Sequence, residues 1–270
     1  MKTTEEIKAD IDTLVRKQGN QGALKLGDIL DDIVDIVQSG FQEVQDAFQD
    51  VTNTLAKFKA QITDVATFHT AVPSTATEIV FAFLGEVDLT GCTKSGSVGK
   101  GIDVYADGTK YAVVSSKIIC APESCYNLFF NYAALETLGF SNFDTSKTTD
   151  FTRMFLMCSS LTSLDLSSFD TSKVTSFAST FGACSNLTTL NLSNFDTSKV
   201  ISFSSTFSAC GNLTTIYAGN WENIGESHSM FNGCTSLVGG NGTAYDANHV
   251  DAAYAHIDAP DNPGYFTAPA

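Results

Sequence analysis

The sequence predicts an α+β protein with an N-terminal helix, a coiled-coil stalk, a small β cap and then a β/α solenoid. Three observations support this fold class. Apolar residues recur in steps of four and three between Leu30 and Val65, which is the spacing of a coiled coil. A 26-residue pattern repeats from Phe129 onward. Cysteine, tyrosine and tryptophan are absent from residues 1–70 and occur only after them, which indicates a boundary between two kinds of structure.

Composition excludes several classes of function. The chain of 270 residues carries a formal charge of −15, and such an acidic protein repels the phosphates of nucleic acid. We expect no membrane insertion, because no apolar run reaches the roughly 20 residues of a membrane helix. The opening MKTTEEIKADID has no apolar core of a signal peptide. No metal or other cofactor is expected, since the histidines are far apart and no HExxH or CxxC pattern occurs.

Eleven apolar positions define the predicted stalk, which spans residues 28–69. Bulky Phe and Leu occupy the predicted a positions and Val dominates d, which disfavours a dimer and favours three strands. We therefore expect a homotrimer, with a long helix inside a helical bundle as the alternative. The expected oligomerisation positions are Leu30, Val34, Val37, Phe41, Val44, Phe48, Val51, Leu55, Phe58, Ile62 and Val65.

Residues 70–128 are predicted to form a β cap, which begins with a linker at His69–Thr77. Short runs of β-branched and aromatic residues indicate strands in this segment. An Asp-Gly pair between two of the runs indicates a hairpin. The expected strands are Ile79–Leu84, Ile102–Tyr105 and Tyr111–Ser115, with the turn at Ala106–Thr109.

Five copies of the repeat fill residues 129–240, and residues 241–270 are predicted to cap the last copy. A leucine and a phenylalanine recur at the 26-residue spacing, and a cysteine joins them from the second copy onward. One cysteine per copy predicts a buried column of small apolar groups, with disulfides between copies as the alternative. The repeated residues include Leu135, Leu161, Leu187, Leu213, Phe129, Phe155, Phe181, Phe207, Cys158, Cys184, Cys210 and Cys234.

Each copy is predicted to contain a short strand, a polar turn and a short helix. The leucines of Leu161–Leu166 suit a strand, and FDTSK at Phe169–Lys173 suits a turn. Apolar residues in Val174–Cys184 step by three, four and three, which predicts one face of a helix with Thr175 as its N-cap. The recurring aspartate and lysine of FDTSK are expected to cap turns and to alternate in charge. One copy cannot bury its own apolar face, so the copies must stack.

The repeat resembles the 26-residue leucine-rich repeat of the bacterial-surface-protein-A type, which is also found in mycoplasma-type surface lipoproteins. The resemblance lies in LTSLDLSSFDTSKVTSFASTFGAC at Leu161–Cys184 and in its copy at Leu187–Cys210. The ending YAHIDAPDNPGYFT at Tyr254–Thr267 also resembles the end of such domains. The resemblance implies a leucine-rich-repeat-like solenoid that acts as a surface-exposed adhesion or recognition module, without catalysis.

A second resemblance concerns the amino terminus. EIKADIDTLVRKQGNQGALKLGDILDDIVDIV at Glu6–Val37 is similar to N-terminal segments of structural proteins of gut bacteriophages, including crAss-like phages. In those proteins the segment precedes a fibre. The resemblance implies that residues 1–27 dock onto a capsid or tail protein of a virion.

The resemblance of the amino terminus, together with the predicted stalk, implies a virion structural protein, a trimeric head or tail fibre on the exterior of the particle. Its repeat domain is expected to adhere to a host-surface glycan or protein. A bacterial cell-surface adhesin of the leucine-rich-repeat family is the alternative. An intracellular scaffold or effector and a polysaccharide depolymerase are further alternatives. We expect no enzyme activity and assign no catalytic residue. Ligand contacts are expected at the exposed repeat positions Thr162, Ser167, Thr188 and Ser193.

Overall fold

The computed structural model of the chain describes residues 59–221 and 224–269, whose elements are short and mostly β. These ranges contain one α-helix, α1 (Val65–Ala71), and one 3₁₀ helix, Ala252–Tyr254. The predicted α+β class is therefore wrong. The strands are β1 (Lys59–Gln61), β2 (Glu78–Phe83), β3 (Thr93–Gly99), β4 (Ile102–Asp107), β5 (Lys110–Ser115), β6 (Ile118–Cys120), β7 (Thr137–Phe140), β8 (Thr189–Asn191), β9 (Thr215–Tyr217) and β10 (Phe266–Thr267).

The end of the predicted coiled-coil stalk is not a continuous helix. Strand β1 pairs in parallel with β6, and the Ile62 N–H extends this pairing by donating to the Cys120 carbonyl at 3.1 Å. Helix α1 begins only at Val65, where the side chain of Asp64 caps its first turn. Ile62 and Val65 therefore do not continue a heptad seam, and the described residues contain no stalk. The other predicted positions lie outside the described residues; they are Leu30, Val34, Val37, Phe41, Val44, Phe48, Val51, Leu55 and Phe58.

A mixed five-stranded sheet has the order β3-β4-β5-β2-β7. The three strands predicted from sequence are confirmed as β2, β4 and β5, and Gly108 has a φ of 59° in the turn between β4 and β5. Strand β2 pairs in parallel with β5 on one side and with β7 on the other. Because β7 belongs to the first repeat copy, this sheet joins the residues before the repeats to the repeats themselves.

Helix α1 covers the first repeat copy. Its Phe68 is fully buried, and the Phe68 ring meets the Phe129 ring edge to face at 5.6 Å. The chain after the helix stays in the core, where Val72 and Ala76 have no exposed surface. The predicted linker at His69–Thr77 is therefore wrong, because its apolar residues are needed to close the end of the repeats.

From Ser124 onward the copies are stacked through backbone hydrogen bonds. Every second N–H in the stacked segments donates to the next copy; that of Phe181, for example, donates to the Thr206 carbonyl at 2.9 Å. The intervening N–H groups close turns within their own copy, as Gly182 does with Ser179 at 3.1 Å. We call residues 123–240, which contain this stack, the repeat array. Isolated parallel bridges join Ser124, Asp150, Ser176, Ser202 and Glu226.

The short helix predicted in each copy is replaced by turns throughout the described part of the repeat array. Within the predicted helix Val174–Cys184, Ser179 and Ala183 have left-handed φ values of 54° and 55°. A left-handed residue every four positions interrupts a right-handed helix, so the four-residue spacing of the buried phenylalanines comes from consecutive turns. Thr175, the predicted N-cap, instead donates its hydroxyl to the Thr149 carbonyl at 3.0 Å. The predicted β/α solenoid is therefore wrong as well.

Stacked aromatic rings form the centre of the repeat array. The rings of Phe155, Phe181 and Phe207 follow one another at 5.7 and 5.8 Å with interplanar angles of 11° and 2°. Each of these residues is at most 1% exposed. Burial of one such ring stabilises the fold by about 2–3 kcal/mol, so the aromatic column is a main source of cohesion between copies.

The predicted cysteine column is buried as expected. Its four thiols lie 3.0 or 3.1 Å from a phenylalanine carbonyl of the preceding copy. All seven cysteines are free, so the copies are not joined by disulfides. Burial raises the pKa of Cys158 and of Cys210 to about 12, and these thiols therefore stay protonated and unreactive at neutral pH.

The last copy is covered by the C-terminal residues, which include β10 of the parallel sheet β10-β9-β8. The buried carboxylate of Asp258 organises this cover. It accepts hydrogen bonds from the N–H groups of Asn241, Thr243 and Gly264 at 2.8, 2.9 and 3.2 Å. Burial alone raises the pKa of Asp258, but these bonds and one from the Thr243 hydroxyl outweigh it, so the pKa lies below its ordinary value.

None of the described helices has the length and apolar character that crossing a membrane requires.

Candidate functional site

The four residues predicted to bind ligand lie on the exposed surface of the leucine-containing segments. Thr162, Ser167, Thr188 and Ser193 are all exposed, and we call the surface that they form the polar face. The threonines of neighbouring copies are adjacent, with the Thr188 N–H 3.5 Å from the Thr162 carbonyl. Thr214 extends this column, since its hydroxyl donates to the Thr188 carbonyl at 3.0 Å.

The structure brings the two serines, but not the two threonines, into one shallow depression of about 150 Å³. Asp165 and Asn191 shape it, because each side chain accepts the N–H of the serine two residues later, Ser167 at 3.0 Å and Ser193 at 3.1 Å. The bond from Ser167 lowers the pKa of Asp165 below its ordinary value, so the carboxylate is ionised at neutral pH. The depression thus offers a carboxylate, amides and hydroxyls, which suit hydrogen bonding to a polar ligand.

Asp165, Asn191 and Asn194 line this depression and were missed by the sequence analysis. Asn194 also joins two copies, because its amide donates to the Leu166 and Phe169 carbonyls at 3.1 and 3.0 Å. A signal was present in the sequence: Asp165 and Asn191 occupy the same position of neighbouring repeats, and both residue types favour turns.

The FDTSK loops form a second exposed region. The predicted turn capping is confirmed, because Asp170 accepts the Ser172 N–H at 2.9 Å. The recurring lysines donate to backbone carbonyls of the preceding copy: Lys173 to Ser146 at 3.0 Å and Lys199 to Ser172 at 2.9 Å. These lysines therefore brace neighbouring loops through carbonyls, where the sequence suggested only alternating charge.

A groove of about 570 Å³ lies between strand β1 and these loops. The ion pair of Lys59 with Asp144 ties β1 to the first loop and so fixes one wall of the groove. Lys147 and Lys173 contribute to the other side. This region could not be predicted from the sequence, since the groove depends on a contact between residues that are 85 positions apart.

Among residues 59–221 and 224–269, no three His, Cys, Asp or Glu side chains are placed to hold a metal ion. Residues 123–242 match the family described as "Mycoplasma protein of unknown function, DUF285". The matched segment corresponds closely to the repeat array. No curated protein and no solved structure matches the chain.

Proposed function

We propose that the chain is a non-catalytic adhesion protein whose repeat array binds a repeating polymer, such as a glycan chain, on a cell surface. The observation that carries this proposal is the recurrence of exposed hydroxyl side chains at equivalent positions of neighbouring copies. Thr162 and Thr188 form one such pair, and Ser167 and Ser193 form another. A surface with hydrogen-bonding groups at a regular spacing is complementary to a polymer whose hydrogen-bonding groups also recur.

The core of the repeat array keeps these groups at a regular spacing. Successive rings of the aromatic column are 5.5 to 5.8 Å apart over five copies, from Phe129 to Phe231. A close-packed column of this kind resists deformation, so the hydroxyls are positioned before a ligand arrives. Several weak contacts to one polymer then act together, and their combined affinity exceeds that of any single contact.

The carrier that we propose for this adhesion module is the exterior of a virion. The similarity of Glu6–Val37 to phage structural proteins supports it, and residues 1–27 would provide the attachment to a capsid or tail protein. A bacterial cell surface is the second candidate, supported by the resemblance of the repeat to surface adhesins. Mass spectrometry of purified virions and of envelopes from uninfected cells distinguishes the two, since the virion proposal predicts the chain in the particles.

The adhesive role is tested by binding the fluorescently labelled full chain to intact bacterial cells. The double variant Thr188→Arg/Ser193→Arg places two bulky charges on the polar face and is expected to weaken binding at least about tenfold. Ser198→Arg is the control, because Ser198 is exposed in an FDTSK loop rather than on the polar face. Equal binding by all three proteins, or no binding by the unmodified chain, would contradict the proposal.

A further inference from the structure

The groove beside β1 has the composition of a ligand site. Its floor includes Ile62 and Pro122, both buried and apolar, and its charged groups are Glu123, Lys147 and Lys173. Its volume of about 570 Å³ lies in the range of small-molecule sites, which combine an apolar floor with a few polar groups. The groove shares no lining residue with the depression on the polar face.

Two ammonium groups distinguish this groove from the chain as a whole, whose net charge is −15. The Lys173 ammonium uses one hydrogen bond on the Ser146 carbonyl, and a lysine has three donors, so two remain for a ligand. Lys147 is exposed and takes part in none of the ion pairs of the described residues. Asp170 adds one negative charge near Lys173, but its carboxylate already accepts the Ser172 N–H. The lysines are therefore able to bind an anionic group.

Glu123 restricts which anions fit. Its side chain is exposed at the groove, where a carboxylate repels a second carboxylate but accepts hydrogen bonds from hydroxyl groups. Thr149 is beside it and donates its hydroxyl to the Glu123 carbonyl at 3.2 Å, which helps to fix this part of the wall. The best ligand for two ammonium groups and one carboxylate carries both an acid and several hydroxyls.

We propose that the groove binds a carboxylate-bearing sugar unit of an acidic polysaccharide. Lys147 and Lys173 bind the sugar carboxylate, and Glu123 accepts hydrogen bonds from the hydroxyls of the ring. An acidic peptide offers carboxylates without these hydroxyls, and a neutral sugar offers hydroxyls without the acid. This inference goes beyond the proposed adhesive role, because the groove and the polar face can each bind without the other.

Calorimetric titration of the full chain tests the proposal with three probes: trigalacturonic acid, the neutral galactose trimer and triglutamate. We expect the uronate to bind at least about tenfold more tightly than either other probe, with an affinity that falls as salt is added. Lys147→Gln and Lys173→Gln are each expected to weaken uronate binding by about fivefold. Glu123→Gln is expected to weaken uronate binding but not that of triglutamate.

Lys199→Gln is the matched control. Lys199 makes the same kind of carbonyl contact as Lys173, one copy further on, but does not line the groove. Its variant should therefore bind uronate like the unmodified chain. Equal loss in the Lys199 and Lys173 variants, or equal binding of the neutral trimer or of triglutamate, would overturn the proposal. If uronate does not bind while adhesion to cells persists, the groove proposal fails and the adhesive function stands.

Discussion

The five-stranded sheet and the repeat array bury their apolar residues with different backbones. In the sheet, β2 and β5 pair over six consecutive residues, as ordinary parallel strands do. In the repeat array, neighbouring copies meet mainly through isolated bridges and turns, with only a three-residue parallel pairing of β8 and β9, and left-handed residues such as Ser179 recur. Apolar spacing therefore specifies which side chains are buried, whereas the backbone conformation depends on which acceptors the N–H groups bind.

Of the substitutions considered, one that interrupts the aromatic column of the repeat array should destabilise the protein most. Phe181→Ala removes a buried ring between Phe155 and Phe207, and the cavity should lower the free energy of unfolding by about 4 kcal/mol. Phe130→Ala is the matched control, since Phe130 is 36% exposed and its loss should cost about 1 kcal/mol. Urea unfolding measures both. Equal costs would show that the column does not hold the copies together.

A substitution at Asp258 tests the cover of the last copy, which does not share the repeated sequence of the array. Both oxygens of Asp258 accept hydrogen bonds, so the amide that Asp258→Asn introduces would face N–H donors. We expect a loss of about 3 kcal/mol in the free energy of unfolding at neutral pH. Asp251→Asn serves as the control, because Asp251 accepts a single bond, from the Ala253 N–H, which an amide oxygen can also accept.

Acid should reduce the difference between Asp258→Asn and the unmodified chain. The pKa of Asp258 is lowered in the folded state, so its stabilising contribution is present above an unfolded pKa of about 3.9. That contribution is lost as the pH falls through the folded pKa. In urea unfolding from pH 7 to pH 2, the stabilities of the two proteins should therefore start to converge below about pH 4 and approach each other as the pH falls further. A difference that is independent of pH would contradict the assigned role of this carboxylate.

A third substitution tests the left-handed residues, which distinguish the backbone of the repeat array from that of the five-stranded sheet. Ala183 has a φ of 55°, a region that β-branched residues avoid, so Ala183→Val should lower the free energy of unfolding by about 2 kcal/mol. Ala178 is half-buried like Ala183 but does not have a positive φ. Ala178→Val should therefore cost less than about 1 kcal/mol. Equal costs in urea unfolding would mean that the backbone at Ala183 is not left-handed.

Three of the five strands of the sheet, β2, β4 and β5, could be predicted because their apolar runs are bounded by clear turn residues, such as Gly108, whereas β3 and β7 were missed. It also identified the buried phenylalanines and cysteines of the repeat array. It failed on the helices, because steps of three and four residues arise from consecutive turns as well as from helical turns. A signal for turns was present in the sequence at Asn127, Asn131 and Gly233. These residue types tolerate positive φ, and the two asparagines are four positions apart.

The candidate sites were likewise only partly predictable from the sequence. The exposed positions of the polar face followed from the repeat itself, because a polar residue between buried leucines points outward. The groove did not, because Ile62 was assigned to the seam of a coiled coil and instead lines the groove together with Lys147. Contacts between residues so distant in sequence depend on how the strands pair, which apolar spacing does not reveal.

In the repeat array, backbone hydrogen bonds run between copies rather than along a helix. Scalar coupling across hydrogen bonds, measured by NMR on the labelled full chain, tests it directly at Phe181. The structure predicts coupling from the Phe181 amide nitrogen to the Thr206 carbonyl carbon, across the 2.9 Å bond. A coupling to the Phe177 carbonyl carbon, four residues earlier, would mean that the segment is helical and would contradict this account.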